Sequence, residues 1–160
     1  MVLLRTAGFK TILTRCSAEP PTTSDDEVTH PRGLLDTSFF VAFERPRPPR
    51  EAPALGAVSA VTIAELAAGV ELAGDPAARR QRQSTLALAR RFDPLPFDDR
   101  CADAYAVVAS AMRAAGRRVR QFDAAIAATA MAHGIPVFTQ DADDFGLMER
   151  VISQLTVVLV

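Results

Sequence analysis

The chain has few of the residues from which covalent and zinc-bound frameworks are built. Its 160 residues include two cysteines, Cys16 and Cys101, which lie far apart and in no CxxC spacing. Cysteines placed in this way form neither a disulfide framework nor a cysteine-rich zinc site. We therefore expect two reduced thiols.

Long apolar runs are also missing, although 49% of the residues are hydrophobic. No run approaches the roughly 20 residues that cross a bilayer, and the opening segment lacks the apolar stretch of a signal peptide, roughly 7 to 15 residues long. The sequence therefore predicts a cytoplasmic protein that does not bind membranes. Its length predicts one domain, which buries roughly 70% of the surface that the unfolded chain exposes.

Lysine is almost absent, since Lys10 is the only one, and the net charge is −1. The other basic residues are arginines, whose guanidinium forks suit bidentate contacts with phosphate. The arginines of residues 79–91 are as readily explained by a solvated helix face, whereas those of residues 113–120 lead directly into Asp123. Three arginines of this second segment are therefore candidates for binding a phosphate backbone: Arg117, Arg118 and Arg120.

Residues 1–32 differ in pattern from the rest of the chain. Their segment EPPTTSDDEVTHPR is rich in proline, threonine and acids, and it has no periodicity that would bury a face. We predict a disordered or non-native arm, which a translation start near Val28 would remove. Residues 33–160 then form the folded domain.

From Gly33 onward, short apolar runs alternate with longer helical stretches, a pattern that predicts an α/β fold with a parallel sheet. The predicted strands cover residues 33–36, 57–60, 92–97, 135–139 and 156–160. The predicted helices cover residues 37–43, 62–72, 76–91, 98–115, 123–134 and a segment after residue 144. Pro94 and Pro96 place the third strand at an edge of the sheet.

Four acidic residues lie in apolar settings, where carboxylates are rare unless something pairs with them. They are Asp36, Glu65, Asp123 and Asp141. Asp36 ends the first strand and Asp141 follows the fourth. Glu65 lies in the first turn of one predicted helix, and Asp123 opens another. The carboxyl ends of parallel strands share one edge of a sheet, where such sheets bind ligands, so we expect the four acids to converge there.

Converging carboxylates need a counter-charge, because two of them about 4 Å apart repel by roughly 4 kcal/mol at an effective dielectric constant near 20. They either take up protons or hold a cation. Since the short segments around the four acids contain no histidine or cysteine, the site suits Mg²⁺, with Mn²⁺ as an alternative, and disfavours zinc. Carboxylates that hold a metal beside arginines are typical of phosphodiester hydrolysis.

Helix capping is the simpler explanation for some of these acids. Asp36 and Asp123 each stand where an N-cap aspartate would, but capping explains neither Glu65 inside an apolar helix nor the shared edge. Asp144 is predicted to cap the last helix and is a further candidate metal ligand. Asp98 is predicted to be a cap only.

Four motifs in the chain resemble those of the PIN-domain ribonucleases, and more narrowly the VapC toxins of bacterial toxin–antitoxin pairs: LLDTS, VSAVTIAEL, FDAAIAATA and TQDADDF. The resemblance covers residues 33–160 and depends on the order and spacing of the motifs. It implies a three-layer α/β/α fold around a mostly parallel sheet of about five strands. It also implies an Mg²⁺-dependent endoribonuclease that cuts structured RNA such as tRNA or ribosomal RNA.

The resemblance further implies partners and roles for individual residues. A small VapB-like antitoxin would neutralise the enzyme, which would be a homodimer. The four acids would be the catalytic residues and metal ligands. The three arginines selected from the charge distribution remain the candidates for binding the RNA. Three hydroxyls would orient the acids or the water molecules on the metal: Thr37, Ser38 and Thr139. The chain departs from the family between the first two strands, where the segment is short and proline-rich.

Other functions would also place aspartates at this edge. A receiver domain needs a lysine after a late strand, but the only lysine is Lys10. A phosphatase of the haloacid dehalogenase type needs the motif DxDx[TV], but Asp36 is followed by Thr37 and Ser38. A non-catalytic RNA-binding or regulatory PIN module is the alternative that stays open.

Overall fold

A five-stranded sheet forms the centre of the computed structural model, which describes residues 30–45 and 48–160. The strands are β1 (Arg32–Leu35), β2 (Leu55–Ser59), β3 (Pro94–Leu95), β4 (Val137–Thr139) and β5 (Val157–Leu159). Their order in the sheet is β3-β2-β1-β4-β5, and each neighbouring pair is parallel. The predicted α/β class and parallel sheet are therefore confirmed, and the proline-containing third strand lies at an edge.

Six α-helices connect or follow these strands in the described part of the chain. They are α1 (Thr37–Val41), α2 (Ala60–Glu71), α3 (Pro76–Ala89), α4 (Asp99–Ala114), α5 (Gln121–His133) and α6 (Asp144–Val151). Asp75 caps α3 and Asp98 caps α4 with side-chain oxygens, as expected for N-cap aspartates. Within the ranges described, no helix has both the length and the apolar character needed to cross a membrane.

Helices cover both faces of the sheet, as a parallel sheet requires. Successive strand residues face opposite sides, so Leu34 and Val137 pack with α4, α5 and α6, whereas Leu35 and Phe138 pack with α1, α2 and α3. All four side chains are buried, and each contributes roughly 1.5–3 kcal/mol by leaving water. The result is the three-layer α/β/α arrangement.

The amino end of β1 approaches β4 closely. Gly33 lies against the buried ring of Phe138, and a Cβ atom at Gly33 would overlap that ring. Arg32 belongs to the strand and pairs with Leu55 of β2, so β1 begins one residue before the predicted start. Glycine at position 33 therefore allows the two central strands to pack.

Helix α2 begins earlier than predicted. It starts at Ala60 rather than Thr62, because Ser59 caps it by accepting the N–H of Thr62 at 2.9 Å. The prediction that Glu65 lies in the first turn was therefore wrong, and Glu65 lies in the second turn.

Helix α5 also begins earlier than predicted. It starts at Gln121, and its N-cap residue, Arg120, makes no side-chain capping bond. Asp123 is the third residue of the helix rather than its opening residue. Its carboxylate is therefore not used as a cap.

Two predictions concern residues outside the described ranges. The arm lies mostly in residues 1–29, and Cys16 falls within it, so both remain predictions. The other cysteine, Cys101, is a buried free thiol, and burial raises its pKa.

Candidate active site

The order of the strands creates a switch point between β1 and β4. From β1 the chain moves outward to β2 and β3, and it then returns to β4 on the other side of β1. The carboxyl ends of two such strands form the usual ligand site of an open parallel sheet. Asp36 follows β1 directly, and Thr139 is the last residue of β4. The two therefore meet at this position.

Asp36 is held at the switch point by one of its two oxygens. Its side chain is buried, with 3% exposed, and Oδ2 accepts hydrogen bonds from the Ser38 N–H at 3.1 Å, the Ser38 hydroxyl at 2.7 Å and the Thr139 hydroxyl at 2.8 Å. The Ser38 N–H bond makes Asp36 the N-cap of α1, as the capping explanation predicted. The other oxygen, Oδ1, is buried without a hydrogen-bond partner among the described residues. Capping therefore accounts for only half of the carboxylate.

The two hydroxyls also organise the chain after β4. Each donates its proton to Asp36, so each oxygen can accept another bond: Ser38 Oγ accepts the N–H of Gln140 at 2.8 Å, and Thr139 Oγ1 accepts the N–H of Asp141 at 2.9 Å. The end of β1 and the loop after β4 therefore share one hydrogen-bond network.

Glu65 approaches the site from α2. Thr37 donates its hydroxyl to Glu65 Oε2 at 2.5 Å, which fixes the direction of the carboxylate. Burial raises the pKa of Glu65, the Thr37 bond opposes that rise, and the negative charge of Asp36 adds to it. The two carboxylates are therefore close enough for the charge of Asp36 to affect the pKa of Glu65.

Asp123 has the most strongly raised pKa of the acids in the site. Asp123 is 8% exposed, and its Oδ2 is buried without a hydrogen-bond partner in the described structure. Burial first, and then the charges of Asp36, Glu65 and Asp144, raise its pKa to about 7, while Arg120 opposes the rise. Near neutral pH this carboxyl is therefore partly protonated, and a nearby cation would favour its charged form.

Three carboxylates lie close enough together to hold one metal ion. Asp123, Asp141 and Asp144 each place one oxygen within 4.8 Å of the others. Asp141 Oδ1 also accepts the N–H groups of Asp143 at 3.1 Å and Asp144 at 3.0 Å. Asp144 was predicted to cap α6, but Asp141 supplies that function from the preceding loop. We call Asp123, Asp141 and Asp144 the carboxylate cluster.

The sequence also matches a known family. Residues 33–151 match the model of the PIN domain. The chain belongs to the PIN domain family. Ribonuclease VapC4 from Mycobacterium tuberculosis is 47% identical over 114 residues, which are 70% of this chain and 88% of that protein. Ribonuclease VapC5 from the same organism is 42% identical over 123 residues, which are 76% of this chain and 90% of that protein. Within the PIN domain family, the chain therefore belongs with the VapC ribonucleases.

Solved structures support the same assignment for this PIN domain. VapBC-5 from Mycobacterium tuberculosis, a member of the VapBC family of toxin–antitoxin systems, superposes with a TM-score of 0.73 at 35% identity, covering 81% of this chain and 99% of that chain. FitAcB from Neisseria gonorrhoeae superposes with a TM-score of 0.62 at 29% identity, covering 78% of this chain and 94% of that chain. The PIN-like fold predicted from the sequence is thus confirmed.

The side chains of the PIN domain fit a hard divalent cation. The donor atoms are all carboxylate oxygens, which Mg²⁺ and Mn²⁺ prefer. Two of these oxygens, Asp36 Oδ1 and Asp123 Oδ2, are buried and lack partners in the described residues, and a buried charged oxygen without a partner is costly. A bound cation would remove that cost and the repulsion that raises the pKa of Asp123.

The candidate arginines differ in their contacts. The Arg120 guanidinium lies 3.9 Å from Asp141 Oδ2 and 3.6 Å from Asp144 Oδ2. Arg117 and Arg118 are exposed, and neither forms an ion pair within the described residues. The sequence predicted Arg120 as a phosphate contact but did not predict its pairing with the acids. Its position three residues before Asp123, at the start of the same helix, is the signal that could have indicated it.

The first arginine segment serves another purpose. Arg79 pairs with Glu71 at 2.9 Å, and the Arg82 guanidinium donates to the Gly69 carbonyl at 2.6 Å. These contacts join α2 and α3 at the surface. They are consistent with the solvated helix face, which was one of the two explanations that the sequence allowed for these arginines.

Proposed function

We propose that this PIN domain is a divalent-metal-dependent endoribonuclease that acts as the toxin of a toxin–antitoxin pair and cuts structured RNA such as tRNA or ribosomal RNA. The observation that carries the proposal is the pair of buried, unpartnered oxygens, Asp36 Oδ1 and Asp123 Oδ2, beside the carboxylate cluster. The membership in the VapC ribonucleases supports RNA as the substrate. Mg²⁺ is the proposed ion, and Mn²⁺ is the alternative.

The acids of the site would hold the metal. Asp36 and Asp123 offer their free oxygens, and Asp141 and Asp144 belong to the cluster with Asp123. Glu65 is directed into the site by Thr37. A bound divalent cation supplies an acidified water molecule and positive charge next to the scissile phosphate.

The hydroxyls preserve this geometry without being ligands themselves. Ser38 and Thr139 hold one oxygen of Asp36 and leave the other free. Thr139 also accepts the N–H of Asp141, so it positions two of the acids at once. Preorganisation of this kind reduces the reorganisation needed when the phosphate binds. The exposed guanidinium groups of Arg117, Arg118 and Arg120 lie on the segment that enters the site, where they can contact the RNA backbone.

Cleavage by the purified protein tests the enzymatic proposal. Total cellular RNA should be cut in Mg²⁺ or Mn²⁺ and left intact in EDTA, and Asp36→Asn should abolish cutting. Asp143→Asn is the matched control. It also removes one negative charge, but from an exposed side chain adjacent to Asp144 in the sequence, so it should retain activity. RNA that binds but stays intact in both ions would favour the non-catalytic or regulatory module.

We infer a small VapB-like antitoxin as the partner, as the VapBC name of the solved relative suggests. A groove of about 450 Å³ leads away from Glu65 and Thr37. Its wall includes Leu66 and Leu72, and Leu72 is 79% exposed. This surface fits an amphipathic segment. An antitoxin arginine could then reach Asp36, Glu65 and Asp123 by charge-assisted bonds.

Growth experiments test the toxin and its partner. Expression of this chain alone should stop growth. Co-expression of the proposed antitoxin, which we expect a small neighbouring gene to encode, should restore it. Mapping of RNA ends after brief induction would identify the target. Normal growth with the protein shown to be folded would contradict the toxin role. The proposed homodimer is checked separately by sedimentation of the purified protein.

A further inference from the structure

Arg120 contacts two members of the carboxylate cluster from outside. Its Nη1 lies 3.9 Å from Asp141 Oδ2 and its Nε lies 3.6 Å from Asp144 Oδ2, and its side chain is 77% exposed. Among the ion pairs of the described residues, these two are the ones that involve the cluster. Arg120 therefore supplies the positive charge that the metal-free site contains.

The contacts of Arg120 are easily replaced. Both distances are long for ion pairs, and exposed pairs of this kind contribute little and are screened by salt. Arg120 occupies the N-cap position of α5 but makes no side-chain capping bond, so the helix does not depend on its guanidinium. A divalent cation at the cluster would repel this group and compete for the same oxygens.

We propose that Arg120 is an internal counter-ion of the carboxylate cluster, that a divalent cation displaces it, and that the released guanidinium then contacts an RNA phosphate. Guanidinium and phosphate form bidentate, charge-assisted bonds. Arg120 would thus become available for RNA only when the metal is in place. The phosphate contact rests on the proposed function, whereas the competition with the metal does not.

A titration with Mn²⁺ alone tests the competition. Isothermal calorimetry would compare the wild-type protein with Arg120→Gln, and Arg118→Gln would serve as a control for loss of the same charge two residues earlier. Loss of two exposed ion pairs should tighten Mn²⁺ binding by about three- to tenfold in Arg120→Gln. The control should bind Mn²⁺ like the wild type. Arg120→Lys keeps the charge and should stay near the wild-type affinity.

Two results of this titration would overturn the proposal. One is an Arg120→Gln protein, folded by circular dichroism, that binds Mn²⁺ no more tightly than the wild type. The other is equal tightening in the Arg118→Gln control, because the effect would then come from net charge rather than from the position of Arg120.

The salt dependence of RNA binding tests the second part of the proposal, the contact between the released Arg120 and an RNA phosphate. The probe is a fluorescein-labelled 2′-O-methyl oligoribonucleotide, and its affinity is measured by anisotropy over a range of salt concentrations. One phosphate contact changes the slope of log K against log salt by about one. In Mn²⁺ the slope of Arg120→Gln should be smaller than that of the wild type by about this amount, whereas in EDTA the two slopes should agree.

The outcomes separate this proposal from the proposed function. Equal slopes in Mn²⁺, or an equal difference with and without metal, would refute the metal-dependent release of Arg120. Failure of the wild-type protein to bind the oligonucleotide, or to cut RNA, would count against the proposed function and the phosphate contact. The Mn²⁺ titration would still decide whether Arg120 is the counter-ion.

Discussion

Replacement of Asp123 by asparagine should stabilise the metal-free protein and abolish its activity. Asparagine keeps the size of the side chain and removes one negative charge that burial disfavours most and that Asp36, Glu65 and Asp144 also repel. The same charge is needed to hold a divalent cation. Stability without metal and function with metal should therefore change in opposite directions.

The pKa of Asp123 sets the size and the pH range of this effect. The fold raises the pKa from 3.8 to about 7, so the folded state binds the proton more tightly than the unfolded state does. The wild-type protein therefore loses stability as the pH rises from about 4 to about 7. The difference between the two pKa values corresponds to a loss of about 4 kcal/mol in the free energy of unfolding, at about 1.4 kcal/mol per pKa unit. Solvent at the open side of the site screens the charges, and we expect about 2 kcal/mol.

Urea unfolding in EDTA measures this difference. At pH 8, Asp123→Asn should be more stable than the wild type by about 2 kcal/mol, or about 6 °C in Tm for a chain of this size. The difference should shrink steadily as the pH falls toward 4. Saturating Mg²⁺ should raise the stability of the wild type, by about 2.7 kcal/mol at a concentration of 100 times Kd, and should have little effect on the variant.

Two results would refute this reasoning. An Asp123→Asn protein that is less stable than the wild type at pH 8, with the same pH dependence, would show that burial and the neighbouring charges do not raise the pKa of Asp123. Cleavage of RNA at the wild-type rate in Mg²⁺ would show that Asp123 does not hold the metal.

Three further substitutions test the parts that support the site. Thr37→Val removes the hydroxyl that lowers the pKa of Glu65, so that pKa should rise by carboxyl NMR titration while Tm changes little; an unchanged pKa would contradict the bond. Thr139→Val deletes a buried hydrogen bond to Asp36 and should cost about 1–3 kcal/mol in urea unfolding, with slower cleavage; full stability and activity would show that the hydroxyl is dispensable. Gly33→Ala places a methyl group against a buried phenylalanine ring and should lower the free energy of unfolding by about 1–3 kcal/mol. A loss below about 0.5 kcal/mol, the effect of an ordinary surface change, would mean that the ring can move.

Much of the architecture follows from local patterns in the sequence. Alternating apolar runs and helical stretches predict the parallel sheet, because strand and helix periodicities differ. Aspartates before α3 and α4 predict where those helices begin, since a cap depends on neighbouring backbone groups. The order of the motifs also places Asp36 and Asp141 at the carboxyl edge of the sheet. These predictions need only short segments and chain order.

Helix starts show where local patterns fail. Ser59 and Arg120 precede helices that begin two residues before the predicted positions. The start of α2 has a local cause that the prediction missed, because the Ser59 side chain caps the helix. The start of α5 has no such signal, because Arg120 makes no side-chain capping bond. The shifts move Glu65 and Asp123 along their helices, although both acids still reach the site.

The sequence by itself therefore determined the family, the fold class and the residue types at the sheet edge. Tertiary structure alone decided which oxygens are free, because Thr139 takes one oxygen of Asp36 from 103 residues away and leaves the other unpaired. It likewise brought Asp144 into the carboxylate cluster and placed Arg120 beside it. The physical reason is that burial, charge repulsion and hydrogen-bond pairing depend on distances between segments remote in the chain, which no local pattern specifies.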